Sequence, residues 1–266
     1  MKKIFIGVAI FLASCNNSEN QLAEITTKIN SGNYQGAIDD LKKLNDETTD
    51  KETKNKILEL YNQANDKLNK SNYNEMKKNR QDNIYLDFKF GMSESDVQNH
   101  AKNLIEKGKI KPFATYEFTI GSGEYAQLLS LEGFDSQFSP SNYSCTGLIR
   151  PNYNLEKLNS LEIILFNYPE GKDDSNVLND VIKMFTSKYG KSKNISNLYS
   201  ADDKENIKYY TTESNKAIYI SEALGFVTIV YEDLISKYET VNLIKDIKSI
   251  QEESNIKKSE EIQSEI

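Results

Sequence analysis

The chain predicts an α+β protein: an N-terminal helical hairpin or bundle, an antiparallel sheet with two helices on one face, and a C-terminal helix. Three observations carry this. Between residues 21 and 70 apolar side chains recur every three or four positions, the period of a helix. From about residue 83 short runs alternate apolar with polar and are punctuated by turn residues, the period of a strand. The order strand, helix, two or three strands then occurs twice, which suggests two β-α-β-β halves between Asn83 and Tyr231.

Composition bounds the rest. The 266 residues have room for one large domain or two small ones. Charged residues make up 27% and hydrophobic ones 38%, low for a compact globule, so part of the chain reads as solvated helix or tail. The net charge is −7, and without Lys2 and Lys3 it becomes −9, from 31 basic against 40 acidic residues. An acidic body with no dense Lys/Arg patch disfavours nucleic acid and anionic lipid headgroups as partners, and no nucleic-acid partner is expected.

Lys2 and Lys3 open the chain, and Ile4–Ala13 follow as an apolar run. That is half of the ~20 residues a helix needs to cross a bilayer, and suits the core of an export signal. The run closes at Leu12-Ala13-Ser14-Cys15, which resembles the lipobox of bacterial lipoproteins. The resemblance implies removal of residues 1–14 as a signal peptide. It also implies a diacylglyceryl group on the Cys15 thiol, and a further acyl chain such as palmitate on the new amine. Two or three chains hold a membrane stably where one does not. The expected placement is therefore the bacterial cell envelope, attached by lipid, with the folded body outside the cytoplasm.

Residues 15–20 read as a lipidated tether, whose "NNSEN" reaches less than about 20 Å when extended. Residues 21–82 read as a helical segment and linker. Leu22, Ile25 and Ile29 share a face, Ser31-Gly32-Asn33 breaks it, and Tyr34, Ile38, Leu41 and Leu44 make the next. Ile57, Leu58, Tyr61, Ala64 and Leu68 make a third, before a polar linker or helix end over Ser71–Asn83. "GNYQGAIDDLKKL", with Gly32, Tyr34, Ala37 and Leu41, resembles the turn and second helix of one tetratricopeptide repeat. The first helix lacks that family's large aromatic and no full second repeat follows, so a generic helical hairpin fits equally.

Residues 83–232 read as the α+β domain. "YLDFKF" alternates Leu86, Phe88 and Phe90 against Asp87 and Lys89 and predicts a strand. Ser93, with Asp96 three residues on, predicts a helix start, and Val97, Ala101, Leu104 and Ile105 are its buried stripe. "FGMSESDV" resembles, over about ten residues, the helix entry of small envelope lipoproteins of the outer-membrane assembly type and the fold of secreted β-lactamase inhibitors. Strands follow at 113–120, 125–131, 143–149 and 160–168, the last apolar on both faces and so central. Residues 173–190 are a helix through Val177, Val181, Ile182, Phe185 and Tyr189, and strands follow at 207–212, 216–221 and 226–231. Residues 233–266 read as an amphipathic helix through Leu234, Tyr238, Val241, Ile244 and Ile247 with a disordered tail.

Chemistry-bearing groups are few. With Cys15 assigned to lipid, Cys145 has no disulfide partner and reads as a buried inert thiol. His100, the single histidine, borders the apolar stripe of its helix and reads as structural; zinc would want a second His or Cys. No G-x-S-x-G elbow is present. Gly121-Ser122-Gly123 reads as a hairpin turn, "GKDDSN" (171–176) as helix capping and "SADDKEN" (200–206) as a solvated loop. No residue is assigned to catalysis, a cofactor or a metal. The 16 Tyr and 11 Phe, with no Trp, read mainly as core. The expected function is therefore a non-enzymatic envelope lipoprotein that binds another protein or acts as a scaffold. An inhibitor or immunity-type lipoprotein that blocks a partner enzyme is the first alternative, and a wall or glycan hydrolase using acidic residues the second.

Overall fold

The computed structural model describes the backbone of residues 5–120, 127–193 and 206–264, and side chains within those stretches from 18 to 249 and at 251 and 252. Gly121-Ser122-Gly123 and residues 200–205 lie outside the described residues. The chain forms two compact units, Met1–Lys78 and Asn79–Ile266.

The first unit is three helices: α1 (Phe5–Asn30), α2 (Tyr34–Glu47) and α3 (Lys51–Lys78). Gly32 turns the chain at φ +86°, and the Asn33 side chain accepts from the Gly36 N–H at 3.2 Å to start α2. Ile25, Ile29, Ala37, Ile38, Leu41, Leu44, Ile57 and Ala64 are buried together. Leu58 was expected on this face, but it points to water, because Ile57 and Ala64 lie seven apart on one stripe and Leu58 sits about 100° off it. Two expectations shift here. The tether residues 16–20 are helical, and so are Ser71–Lys78, since neither stretch holds a Gly or Pro to stop a helix already running. No helix among the described residues is long and apolar enough to cross a membrane.

The second unit is a seven-stranded antiparallel sheet with helices. Its elements are α4 (Glu94–Glu106), β1 (Ile110–Ile120), β2 (Gln127–Phe138), β3 (Cys145–Asn154), β4 (Lys157–Phe166), α5 (Asp174–Tyr189), β5 (Ile207–Glu213), β6 (Lys216–Ala223), β7 (Phe226–Asp233) and α6 (Leu234–Ser264). The strand order is β1-β2-β3-β4-β7-β6-β5. Thus α4 is followed by a four-strand meander, β1–β4, and α5 by a three-strand meander, β5–β7, whose last strand pairs with β4 at the centre of the sheet.

The leading strand of the first half is not formed. In "YLDFKF" the backbone folds on itself, with Leu86 at φ 52° and Asp87 at φ 62°. The Ile84 N–H bonds to Phe88 O (2.8 Å) and the Phe90 N–H to Asp82 O (3.1 Å), closing a loop instead of a ladder. Phe88 and Phe90 are still buried, and Gly91 and Met92 exchange bonds with Leu158 at the start of β4. The first expected β-α-β-β half therefore lacks its leading strand, while the second keeps the order β4, α5, β5, β6, β7. At the other end the helix runs to Ser264 rather than fraying at 251, over a Lys/Glu-rich stretch of strong helix formers without Gly or Pro.

One face of the sheet is covered by α4 and α5. Val97, Ala101, Val177, Val181 and Phe185 pack over Leu161, Ile163, Leu165, Ile218, Ile220, Val227 and Ile229. The opposite face is closed differently. β2 pairs with β3 only over Phe134–Phe138, whereas β1 and β2 stay paired out to Ile120 and Gln127. Tyr116 and Phe118 of β1 nevertheless lie 4.8 and 5.3 Å, centroid to centroid, from Phe166 of β4, and Phe118 lies 4.9 Å from Phe226 of β7. Neighbouring strands lie about 4.8 Å apart, so in a flat sheet β1 and β4 would stand about 14 Å apart. The hairpin must therefore fold across the sheet. Gly133 permits this, since a Cβ there would meet the Ile149 carbonyl oxygen at 2.5 Å. Leu131, Leu148, Ile164 and Phe166 are buried beneath the folded hairpin.

Candidate functional site

The residues singled out above fall in separate places. Cys15 lies within α1, and its side chain is outside the described residues. Cys145 is a buried free thiol whose Sγ donates to Phe138 O at 3.4 Å, and burial pushes its pKa up to about 11, so it stays protonated near neutrality. His100 bonds through Nε2 to the Leu86 carbonyl at 2.8 Å and stacks edge-on against Phe88 (4.8 Å), which ties α4 to the loop at 82–90. Asp173 caps α5 by accepting from the Asn176 N–H at 2.8 Å. Among the described residues no group of three or more His, Cys, Asp or Glu could hold a metal ion.

Two carboxyls are held above the ordinary carboxylate range. Burial does this to Asp233, against the opposing pull of Asn215 and Arg80. Burial and then the neighbouring Asp174 carboxylate do it to Glu222. Asp233 serves architecture: it accepts from Asn215 Nδ2 (3.1 Å), from the Ile235 N–H (3.1 Å) and from Arg80 Nη2 (3.3 Å). Glu222 lies on β6 near the start of α5. A polar hollow of about 500 Å³ at the start of α4 carries Glu94, Glu156 and Lys157, and neither raised carboxyl lines it.

The surface that stands out is on α6. Its root is pinned at several points. Ile235 is buried, Leu234 packs beside Tyr210 and Ala217, and the Leu234 N–H bonds to Asn215 O at 2.8 Å. Lys237 Nζ reaches both Glu232 carboxylate oxygens at 2.9 Å, and Asn154 at the end of β3 bonds Thr240. Leu234, Tyr238 and Val241 are partly buried along this root. Further along, Leu243, Ile244 and Ile247 are exposed at 45, 47 and 45%, and at about 100° per residue Leu243 and Ile247 are turned away from the face that Leu234 and Tyr238 set against the sheet. Ile244 and Ile247 stand three apart and Leu243 and Ile247 four apart, so the three share a face. Lys245 and Ser249 lie off it, and Lys248, four residues after Ile244, borders it. Leu243 was not expected in this stripe, although its i+4 spacing to Ile247 was a readable signal.

No protein-family model matches the chain, and no curated protein sequence or solved structure matches it either. The reading of the site therefore rests on its own geometry.

Proposed function

We propose that the protein is a bacterial cell-envelope lipoprotein, moored by acyl chains on Cys15, that binds another protein without catalysing a reaction. The mooring is supported by the order Lys2-Lys3, Ile4–Ala13, Leu12-Ala13-Ser14-Cys15. Cleavage before Cys15 leaves α1 starting directly behind the lipid. Because residues 16–20 are helical, they span about 8 Å at 1.5 Å per residue, which seats the helical unit close to the bilayer.

The observation that carries the binding role is the exposed stripe Leu243-Ile244-Ile247 on a helix whose root is fixed. A short apolar patch presented in this way on a helix matches helix-in-groove recognition, in which i, i+3 and i+4 side chains fill an apolar groove on the partner. The helical unit at α1–α3, with its likeness to one tetratricopeptide repeat, supplies a further surface of the peptide-docking type. A photo-crosslinking residue at Ile247, in cells making the full chain, should give one dominant heterologous adduct. Leu243→Lys together with Ile244→Lys should abolish it while leaving the unfolding midpoint in place. An adduct that persists in the double variant, or none beyond lipid, contradicts the reading.

A further inference from the structure

The helix-covered face of the sheet contains a cavity of about 330 Å³ between the loop bearing Tyr85 and the C-terminal half of α5. That volume sits at the small end of ligand pockets, which run from about 300 to 1,000 Å³. Phe138, Phe185 and Met184 supply apolar wall, two flat rings and a polarizable thioether that favour an aromatic guest over a branched aliphatic one. Tyr85 closes one side, its ring 6.0 Å from Phe138, and the His100 bond to Leu86 O fixes the loop that carries it.

The polar groups are arranged in depth. Tyr231, on β7, is 6% exposed and lines the cavity, with Phe185 beside it at 6.4 Å. Its hydroxyl makes no hydrogen bond among the described residues, whereas the buried Tyr209 hydroxyl donates to Gly190 O at 2.9 Å and that of Tyr168 to Leu165 O at 2.9 Å. Among the described residues the fully buried side-chain atoms without a partner are Tyr153 Oη and Asn159 Oδ1, so the unbonded Tyr231 oxygen is one that reaches open space, where a guest could meet it. Burial, together with the Tyr189 and Tyr85 side chains, raises the Tyr231 pKa, so the group keeps its proton and is available as a donor. At the rim, Lys188 Nζ sits 4.9 Å from the Tyr189 ring centroid, an exposed cation held over an aromatic face.

We propose that this cavity binds a one-ring phenolic acid, its ring between Phe138 and Phe185, its phenolic oxygen accepting from Tyr231 and its carboxylate beside Lys188. The acid end stays at the rim beside the exposed Lys188, where its charge is not desolvated, and the neutral oxygen enters the end lined by Tyr231, which is 6% exposed. This goes beyond protein binding through α6 and does not depend on it.

The test is a titration of the full-length chain, in lipid nanodiscs, with 4-hydroxybenzoate, followed by saturation-transfer NMR. Saturable binding is expected, weakened roughly tenfold by Tyr231→Phe, which keeps the ring and removes one hydrogen bond. Benzoate, which lacks the deep oxygen, should bind the native chain about as weakly as 4-hydroxybenzoate binds the variant. Met184→Trp, which fills the cavity from its wall, should abolish binding. The absence of saturable binding at millimolar 4-hydroxybenzoate overturns the proposal. Equal affinity in Tyr231→Phe overturns it too, as does more effective displacement by dodecanoate, which would mark an acyl-chain site.

Discussion

The two faces of the sheet are both closed, but by different means. On one, α4 and α5 lay regular apolar stripes over β4, β6 and β7, and residues such as Leu161, Ile163 and Leu165 are fully buried. On the other, the buried cluster is made of strand residues alone, and the cover is the chain's own β1–β2 hairpin folded at Gly133. The first cover is held by side chains from two helices that enter and leave the layer at capped ends. The second hangs on one close backbone approach and a group of aromatic rings. The helix-covered face should therefore set global stability, and the hairpin should open locally before the domain unfolds.

The largest effect should come from the first face. Leu161→Ala should cost about 3–4 kcal/mol in urea unfolding, the range for a buried leucine whose surroundings cannot collapse into the gap. Gly133→Val attacks the second face at its bend. Its new side chain meets the Ile149 carbonyl, and a loss of about 2–3 kcal/mol is expected, with amide exchange accelerating first over residues 114–120 and 127–131. If exchange rose evenly over the sheet instead, the hairpin would not be a separate cover. Phe118→Ala should be milder, about 1–2 kcal/mol, because the ring is only partly buried and loses contacts chiefly with Phe166 and Phe226.

The smallest effect is in the dependence on pH. Burial raises the Asp233 carboxyl, so the folded chain holds that proton more tightly than the unfolded chain does. The group favours the folded state below the ordinary carboxylate pKa and loses that contribution as pH rises through its folded value. The stability of the native chain minus that of Asp233→Asn should thus be greatest near about pH 3 and shrink toward neutrality. A difference that grows with pH would mean that Arg80 and Asn215 outweigh burial.

Much of this architecture was readable because its causes are local. The Ser93–Asp96 capping box and the Asp173 and Gly190 ends of α5 are signals within a turn of the helices they bound. The strand β4 shows its central place by being apolar on both faces. The loop at 82–90 was misread because alternation in "YLDFKF" is shared by a strand and by a loop whose Phe88 and Phe90 are pulled under α4; pairing with Leu158, far along the chain, decides between them. The fold of the hairpin was not legible, because the predicted strand stopped at residue 131, short of Gly133, and the close approach to Ile149 joins segments far apart in the chain. Ile244 and Ile247 were visible as part of a period, but nothing in the sequence shows that the face of α6 set against the sheet is the one bearing Leu234 and Tyr238, which leaves them in solvent. The cavity draws on four separate segments, and no single stretch of sequence carries it.

The proposed mooring at Cys15 is tested most directly by intact mass measurement of the protein purified from the cells that make it. The account predicts a chain beginning at Cys15 with a diacylglyceryl adduct on its thiol and an acyl group on its amine, and release of Cys15→Ser into the aqueous fraction. A native chain with an unmodified Cys15, or a Cys15→Ser variant still held as firmly in the membrane, would contradict it.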